Sequence, residues 1–107
     1  MSYQLVFTDK AKSDLRSIYE YIAFSLQSRI NADRQIDRIE KEVSSLSEMP
    51  ERYRVLELGF SPDREVRILT VDHYCIIYHV AKETGTVQVL RILYGGRDLE
   101  VELEKDL

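Results

Sequence analysis

Val87-Gln88-Val89-Leu90-Arg91-Ile92-Leu93-Tyr94-Gly95-Gly96-Arg97-Asp98 is the stretch on which the fold turns. An apolar strand carries one arginine in its middle and ends in a tyrosine, two glycines and a second arginine. An arginine within a β-branched and leucine run must be paired, or must open onto a surface that something else covers. At the strand end, cationic and phenolic groups sit on a backbone that glycine allows to turn sharply. Such a surface suits contact with an anionic partner.

Working back from this strand, Lys82-Glu83-Thr84-Gly85 reads as a hairpin turn after a strand from Tyr74 to Val80. Asp72-His73 is a tight connection to a strand from Glu65 to Val71, and Phe60-Ser61-Pro62-Asp63-Arg64 is a turn after a short strand, Arg54 to Leu58. Before these lie two amphipathic helices. Thr8 is an N-cap with Asp9 in the first turn, and Ala11, Leu15, Ile18 and Ile22 form an apolar stripe widened by Tyr19, Ala23 and Leu26. The pattern breaks over Ser25 to Ser28. A second helix then starts from Ser28 or Asn31, with Ala32, Ile36, Ile39, Val43 and Leu46 as its seam, and Met49-Pro50 stops it. Tyr3, Leu5 and Phe7 alternate with polar and smaller residues as an opening strand. The expected order is β-α-α-β-β-β: an α+β domain whose helical hairpin packs on one face of a small, mainly antiparallel sheet.

The 107 residues form one domain on this reading, 1–107, closed by an acidic tail over 98–107. That tail holds five acids against Lys105 and carries the whole net charge of −4, so residues 1–97 balance at zero. The balance argues against a strongly basic nucleic-acid binder and leaves room for a local cationic patch. No basic stretch followed by an apolar run opens the sequence, and no apolar run reaches membrane-spanning length, so a cytoplasmic protein with no membrane partner is expected. His73, Cys75 and His79 share a parity, but no second Cys/His pair accompanies them, so no metal is expected. No phosphate loop, dinucleotide motif or serine-histidine-acid pattern is present, and no cofactor is expected.

The ordered set of segments resembles the RelE/ParE superfamily of toxins from bacterial type II toxin–antitoxin systems. The resemblance runs through Thr8-Asp9-Lys10-Ala11 with Asp14-Leu15, Tyr21-Ile22-Ala23, Ile39 to Leu46 with Met49-Pro50, and Glu57-Leu58-Gly59. It continues through Val66-Arg67-Ile68-Leu69, Tyr74-Cys75-Ile76-Ile77-Tyr78 and Leu90 to Asp98. The closing segment is more similar to the ParE branch than to RelE. The resemblance implies a growth-inhibiting toxin, with plasmid stabilisation as its setting, neutralised by a cognate antitoxin whose C-terminal segment folds onto it. ParE-like members bind and poison DNA gyrase without chemistry of their own. RelE-like members enter the ribosome and cleave mRNA by attack of a 2′-OH on the adjacent phosphate, which requires proton transfer and cationic stabilisation. A degenerate member that keeps only the antitoxin surface is a third reading. A homodimer and a hetero-oligomer with antitoxin both stay open.

The resemblance singles out Arg67, Arg91, Tyr94 and Arg97 as the catalytic set of a RelE-like enzyme, and Arg52, Arg54, Arg67, Arg91 and Arg97 as contacts to a target protein or RNA. Each has a plainer alternative. Arg67 could pair with Glu65 or Glu57, Arg91 could tie the sheet to a carboxylate, and Arg97 could pair with Asp98 or the tail. Arg52-Tyr53-Arg54 could grip RNA or form a solvated loop. Tyr94 stands where many relatives carry histidine, and a phenol with a reference pKa of about 10 is a poor base at neutral pH. Arg91 and Tyr94 are three apart and face opposite sides of a regular strand, so sharing a site requires a bend near Leu93 to Gly95. These readings favour a ParE-like toxin acting by binding. If the tail folds back on Arg67, Arg91 or Arg97, truncation after Asp98 raises toxicity in a growth assay; unchanged or lower toxicity removes that idea.

Overall fold

The computed structural model describes residues 2–56 and 65–95. Strand β1 (Gln4–Phe7) leads into helix α1 (Asp9–Glu20), which runs on into a π-helical turn over Tyr21–Ser25. Helix α2 (Arg29–Ser44) comes next, then two short 3-10 turns, Ser45–Ser47 and Pro50–Arg52. Strands β2 (Val55–Leu56), β3 (Val66–Val71), β4 (Tyr74–Ala81) and β5 (Thr86–Tyr94) complete the order. The expected turn over residues 60–64, the end of the strand expected over 54–58 and the tail over 98–107 lie outside the described residues.

The expected caps are present. Thr8 accepts from the Ala11 N–H at 3.1 Å and Ser28 accepts from the Asn31 N–H at 3.2 Å. Met49 adopts φ +49°, and Pro50 occupies the start of the next turn, so α2 cannot continue. The end of the first helix differs from expectation. In the π turn the Leu26 N–H donates to Tyr21 O, five residues back, and the Ser28 N–H to Ile22 O. The wider turn inserts a residue into the helical repeat and rotates the side chains beyond it. Ile22 and Ala23 stay buried, whereas Leu26, expected to widen the stripe, is exposed together with Tyr21 and Phe24.

The sheet order is β1-β5-β4-β3-β2, with β1 parallel to β5 and the remaining pairs antiparallel. The opening strand therefore closes the sheet beside the last one. Ala11, Ile39, Val43 and Leu46 from the helices pack on Leu69, Ile76, Tyr78, Val87, Val89 and Ile92. The other sheet face carries a second buried cluster, Val66, Ile68, Cys75, Ile77, Leu90 and Leu93. Burial on both faces explains why β3 to β5 read as nearly continuous apolar runs. No helix among the described residues is long and apolar enough to cross a membrane.

A bulge interrupts the β4–β5 ladder: Tyr78 pairs with Val89 and Ile77 with Arg91, leaving Leu90 as the extra residue. It reverses the facing of every residue after it. Val87 and Val89 point to the helices before the bulge, and Ile92 does so after it. Tyr94 consequently lies on the helix side, opposite Tyr74. A regular strand would have turned it to the other face.

Tyr78 locks the 3-10 turn onto the sheet. It is fully buried, and its hydroxyl donates to Pro50 O at 2.5 Å. Burial pushes its pKa up to about 12, against the opposing pull of the Arg67 guanidinium. The folded state thus holds the neutral phenol. Tyr78 contributes its full stabilisation below pH 10, the unfolded value, and loses it as pH rises through about 12. Tyr78→Phe should cost about 1–3 kcal/mol in urea unfolding at neutral pH, because the buried carbonyl loses its donor. The variant should also show a shallower loss of stability than the parent between pH 10 and about 12.

Candidate functional site

The arginines expected to form a cationic surface are largely held within the structure. Arg67, on β3, sits on the helix side opposite Tyr78 and is only 13% exposed at its side chain. Its Nη1 donates to Tyr53 O at 2.7 Å and Glu51 O at 2.9 Å, and its Nη2 to Glu65 Oε1 at 2.6 Å. Its Nε has no partner among the described residues. This guanidinium ties the segment after α2 to the sheet, which is the plainer of its two readings.

Arg91 is also paired. Its Nε donates to Asp14 Oδ2 at 2.7 Å and its Nη2 to Asp14 Oδ1 at 2.9 Å, a two-pronged pair in which the side chains are 14% and 15% exposed. Asp14 Oδ2 also accepts from the Ile92 N–H at 2.9 Å. The contact sits where β1 has ended. Thr8 N–H still donates to Val89 O and Thr8 Oγ1 to Leu90 O, and further along α1 Asp14 takes the next N–H of the β5 edge. Arg67 and Arg91 lie on β3 and β5, separated by β4 and hence by about 10 Å. Their side chains leave towards different elements.

Arg52 donates to Ser45 O, Glu48 O and Ser45 Oγ, and its guanidinium lies 4.9 Å from the Tyr53 ring centre. It caps the carbonyl end of α2 and the turn after it, a structural task near a helix C-terminus. The exposed Arg54 side chain makes no hydrogen bond or ion pair among the described residues, and its backbone carbonyl accepts from Ile68 N. Arg97 lies outside the described residues. The irregularity in β5 precedes Arg91 rather than falling near Leu93 to Gly95, so the strand from Arg91 to Tyr94 stays regular. The structure thus does not gather the four arginines and Tyr94 into one group among the described residues.

What it does bring together is a cleft of about 970 Å³ between the π turn, the start of α2 and the β4–β5 end. Tyr21, Leu26, Asn31, His73, Tyr74 and Tyr94 line it, with Asp14 at its edge. Tyr74 and Tyr94 meet edge to face, ring centres 5.7 Å apart and planes at 78°. His73 lies 6.2 Å from Tyr94. The turn carrying His73 is anchored by Asp72, in the left-handed region at φ +55°, whose carboxylate binds Gln35 and Arg38 of α2. The Tyr74 pKa is raised by burial first, then by the neighbouring Tyr94 and Tyr21 phenols and the Asp72 carboxylate. Among the described residues no group of three or more His, Cys, Asp or Glu side chains could hold a metal. His73 faces the cleft, and Cys75 is buried on the other side of the sheet.

Of these residues, sequence reading finds Tyr94 and overlooks Asp14, Tyr21 and Tyr74 as parts of a site. Asp14 has a visible signal: it falls three residues after Ala11 and four before Ile18, on the apolar stripe itself, where an acid needs a partner.

A helical hairpin on a mixed five-stranded sheet, with the first strand parallel to the last, is the fold of the ParE and RelE toxins. The family profile described as the ParE toxin of the type II toxin–antitoxin system, parDE, matches residues 5–99, and the chain belongs to that family. A structure of a chromosomal ParDE system from P. aeruginosa is similar at 25% identity and a TM-score of 0.72, covering 87% of this chain and 96% of that one. The RelE–RelB complex of Pyrococcus horikoshii is similar in fold at 18% identity and a TM-score of 0.62, covering 92% and 100%. A double arginine-to-alanine mutant of E. coli RelE in the free state gives 19% and 0.64, covering 100% of both chains. A search of curated proteins returns no match.

Asp14→Ala would remove the paired carboxylate from a part-buried guanidinium and its acceptor from the Ile92 N–H, and should cost about 1–3 kcal/mol in urea unfolding. The double variant Asp14→Ala with Arg91→Leu should recover much of that loss. A cost under about 1 kcal/mol for Asp14→Ala would mean that the pair behaves like an exposed ion pair.

Proposed function

We propose that this type II toxin acts by binding, inhibiting DNA gyrase in the ParE manner, and that a cognate antitoxin neutralises it. The observation that carries the reading is the internal pairing of Arg67 and Arg91. Cleavage of RNA needs cations able to reach a phosphate as negative charge develops on it. Here Arg91 is clamped by Asp14, and Arg67 by Glu65 and two backbone carbonyls. Releasing either would break a two-pronged ion pair or leave the Glu51 and Tyr53 carbonyls without their side-chain donor. Zero net charge over residues 1–97 offers little general attraction to ribosomal RNA.

Membership of the parDE toxin family and likeness to a ParDE system support the antitoxin partner. The exposed apolar side chains Tyr21, Phe24, Leu26 and Ile30, around the π turn and the start of α2, are the surface such a partner would cover. The toxin–antitoxin complex is then a hetero-oligomer in the cytoplasm.

Inducing the toxin alone in bacteria, with separate pulse-labelling of DNA and protein synthesis, tests this reading. DNA synthesis should fall first, and purified toxin should trap gyrase on cleaved plasmid DNA. Early loss of protein synthesis with intact DNA synthesis would instead establish the ribosome-dependent nuclease, with Arg67, Arg91, Tyr94 and Arg97 as the residues to test. Unimpaired growth would leave the antitoxin-binding role alone.

A further inference from the structure

We infer that the acidic C-terminal tail closes the second face of the sheet, seating Leu99, Val101 and Leu103 on the apolar cluster there and turning its carboxylates to solvent. The helices cover the first face, through Ala11, Ile39, Val43 and Leu46. On the second, Val66, Ile68, Cys75, Ile77, Leu90 and Leu93 are each 7% exposed or less. Among the described residues, Leu56 alone joins them as a partly buried apolar neighbour. Side chains this dry on a sheet face require a covering layer. Apart from Met1, the chain outside the described residues is 57–64 and 96–107, so the cover belongs to one of these.

Position, reach and sequence assign the Cys75–Leu93 end of that face to the tail. The chain leaves β5 over it: the place of a Cβ on Gly95 is 3.3 Å from Cys75 Sγ, a member of the cluster. Residues 57–64 instead leave and return at the Leu56–Val66 end. Cys75 and Leu93 lie level with Thr70, about 13 Å further along β3. The eight residues that follow Gly95 can span up to about 26 Å. That exceeds the roughly 10 Å from β5 across to β3.

The residues of the tail suit the task. Leu99-Glu100-Val101-Glu102-Leu103-Glu104 sets an acid after every apolar residue, the pattern of a segment with one dry side and one wet side. The match to the ParE toxin profile ends at residue 99, so most of the tail lies beyond the residues that the profile describes. With the three apolar side chains turned inward, Glu100, Glu102 and Glu104 give this side of the protein a negative surface. A phosphate backbone approaching it meets carboxylates. The cover is a property of the chain itself and holds whichever target the toxin has.

NMR of the full chain with labelled methyl groups tests this directly. Cross-peaks from the methyls of Leu99, Val101 and Leu103 should run to Leu93, Ile77 and Ile68. The double variant Val101→Asp with Leu103→Asp should lower the Tm by at least about 5 °C. Glu100→Gln with Glu102→Gln should leave the Tm unchanged. Tail methyls that contact nothing, that meet Tyr74 and Tyr94 on the helix side, or whose place over Cys75 and Leu93 is taken by Leu58 and Phe60 would each overturn the inference. An unchanged Tm in the aspartate variant would do the same.

Discussion

The carboxylate of Asp14 is the joint between the two layers of this protein. Strand β1 covers the outer edge of β5 for only four residues, and beyond it β5 would present unpaired backbone groups. Helix α1 takes over that edge. Thr8 closes the first carbonyls, and Asp14 receives the Ile92 N–H together with the Arg91 guanidinium. The same contact sits at the β5 bulge, so it fixes the seat of the helix and the facing of the strand end together. The cleft depends on both.

The arrangement also pairs three of the arginines internally. Taken along the chain, Arg52, Arg67 and Arg91 suggest a cationic strip. In the fold each faces a different set of acceptors: carbonyls at the end of α2, carbonyls and Glu65 beside the 3-10 turn, and Asp14 on α1. They act as cross-links between helical and sheet elements. Four of the large exposed apolar side chains, Tyr21, Phe24, Leu26 and Ile30, gather where the helices turn.

Much of this is legible in the residues. Capping serines and threonines, helical stripes and apolar strand runs locate the elements, because each depends on neighbours within a few positions. Parallel pairing of the first and last strands is not legible, since it depends on contacts some eighty residues apart. Nor is the bulge, because Val89-Leu90-Arg91-Ile92 carries no glycine or proline to mark it. The π turn disguises itself as more helix, which is why Leu26 counts towards the stripe in the sequence and stands outside it in the fold. For the candidate site, Tyr94 is visible from its place at the strand end. Its companions Tyr21 and Tyr74 are hidden because the bulge that turns Tyr94 to their side of the sheet leaves no mark in the sequence. The Asp14–Arg91 pair is half visible: each is a charge set in an apolar pattern, and two such misfits on different elements are candidates for each other.

The chain's single thiol lies beneath the same strand end. Cys75 is 7% exposed, and Gly95 closes over it so tightly that an added Cβ would stand 3.3 Å from Sγ and from His73 O. Gly95 N–H also donates to His73 O at 2.7 Å, latching the last rung of β5 across the β3–β4 turn. The sulfur therefore packs beneath the backbone at Gly95 and has little contact with solvent. Any side chain at position 95 would press on the thiol and on the turn carbonyl at once, so this end of the sheet is closed by the absence of a Cβ.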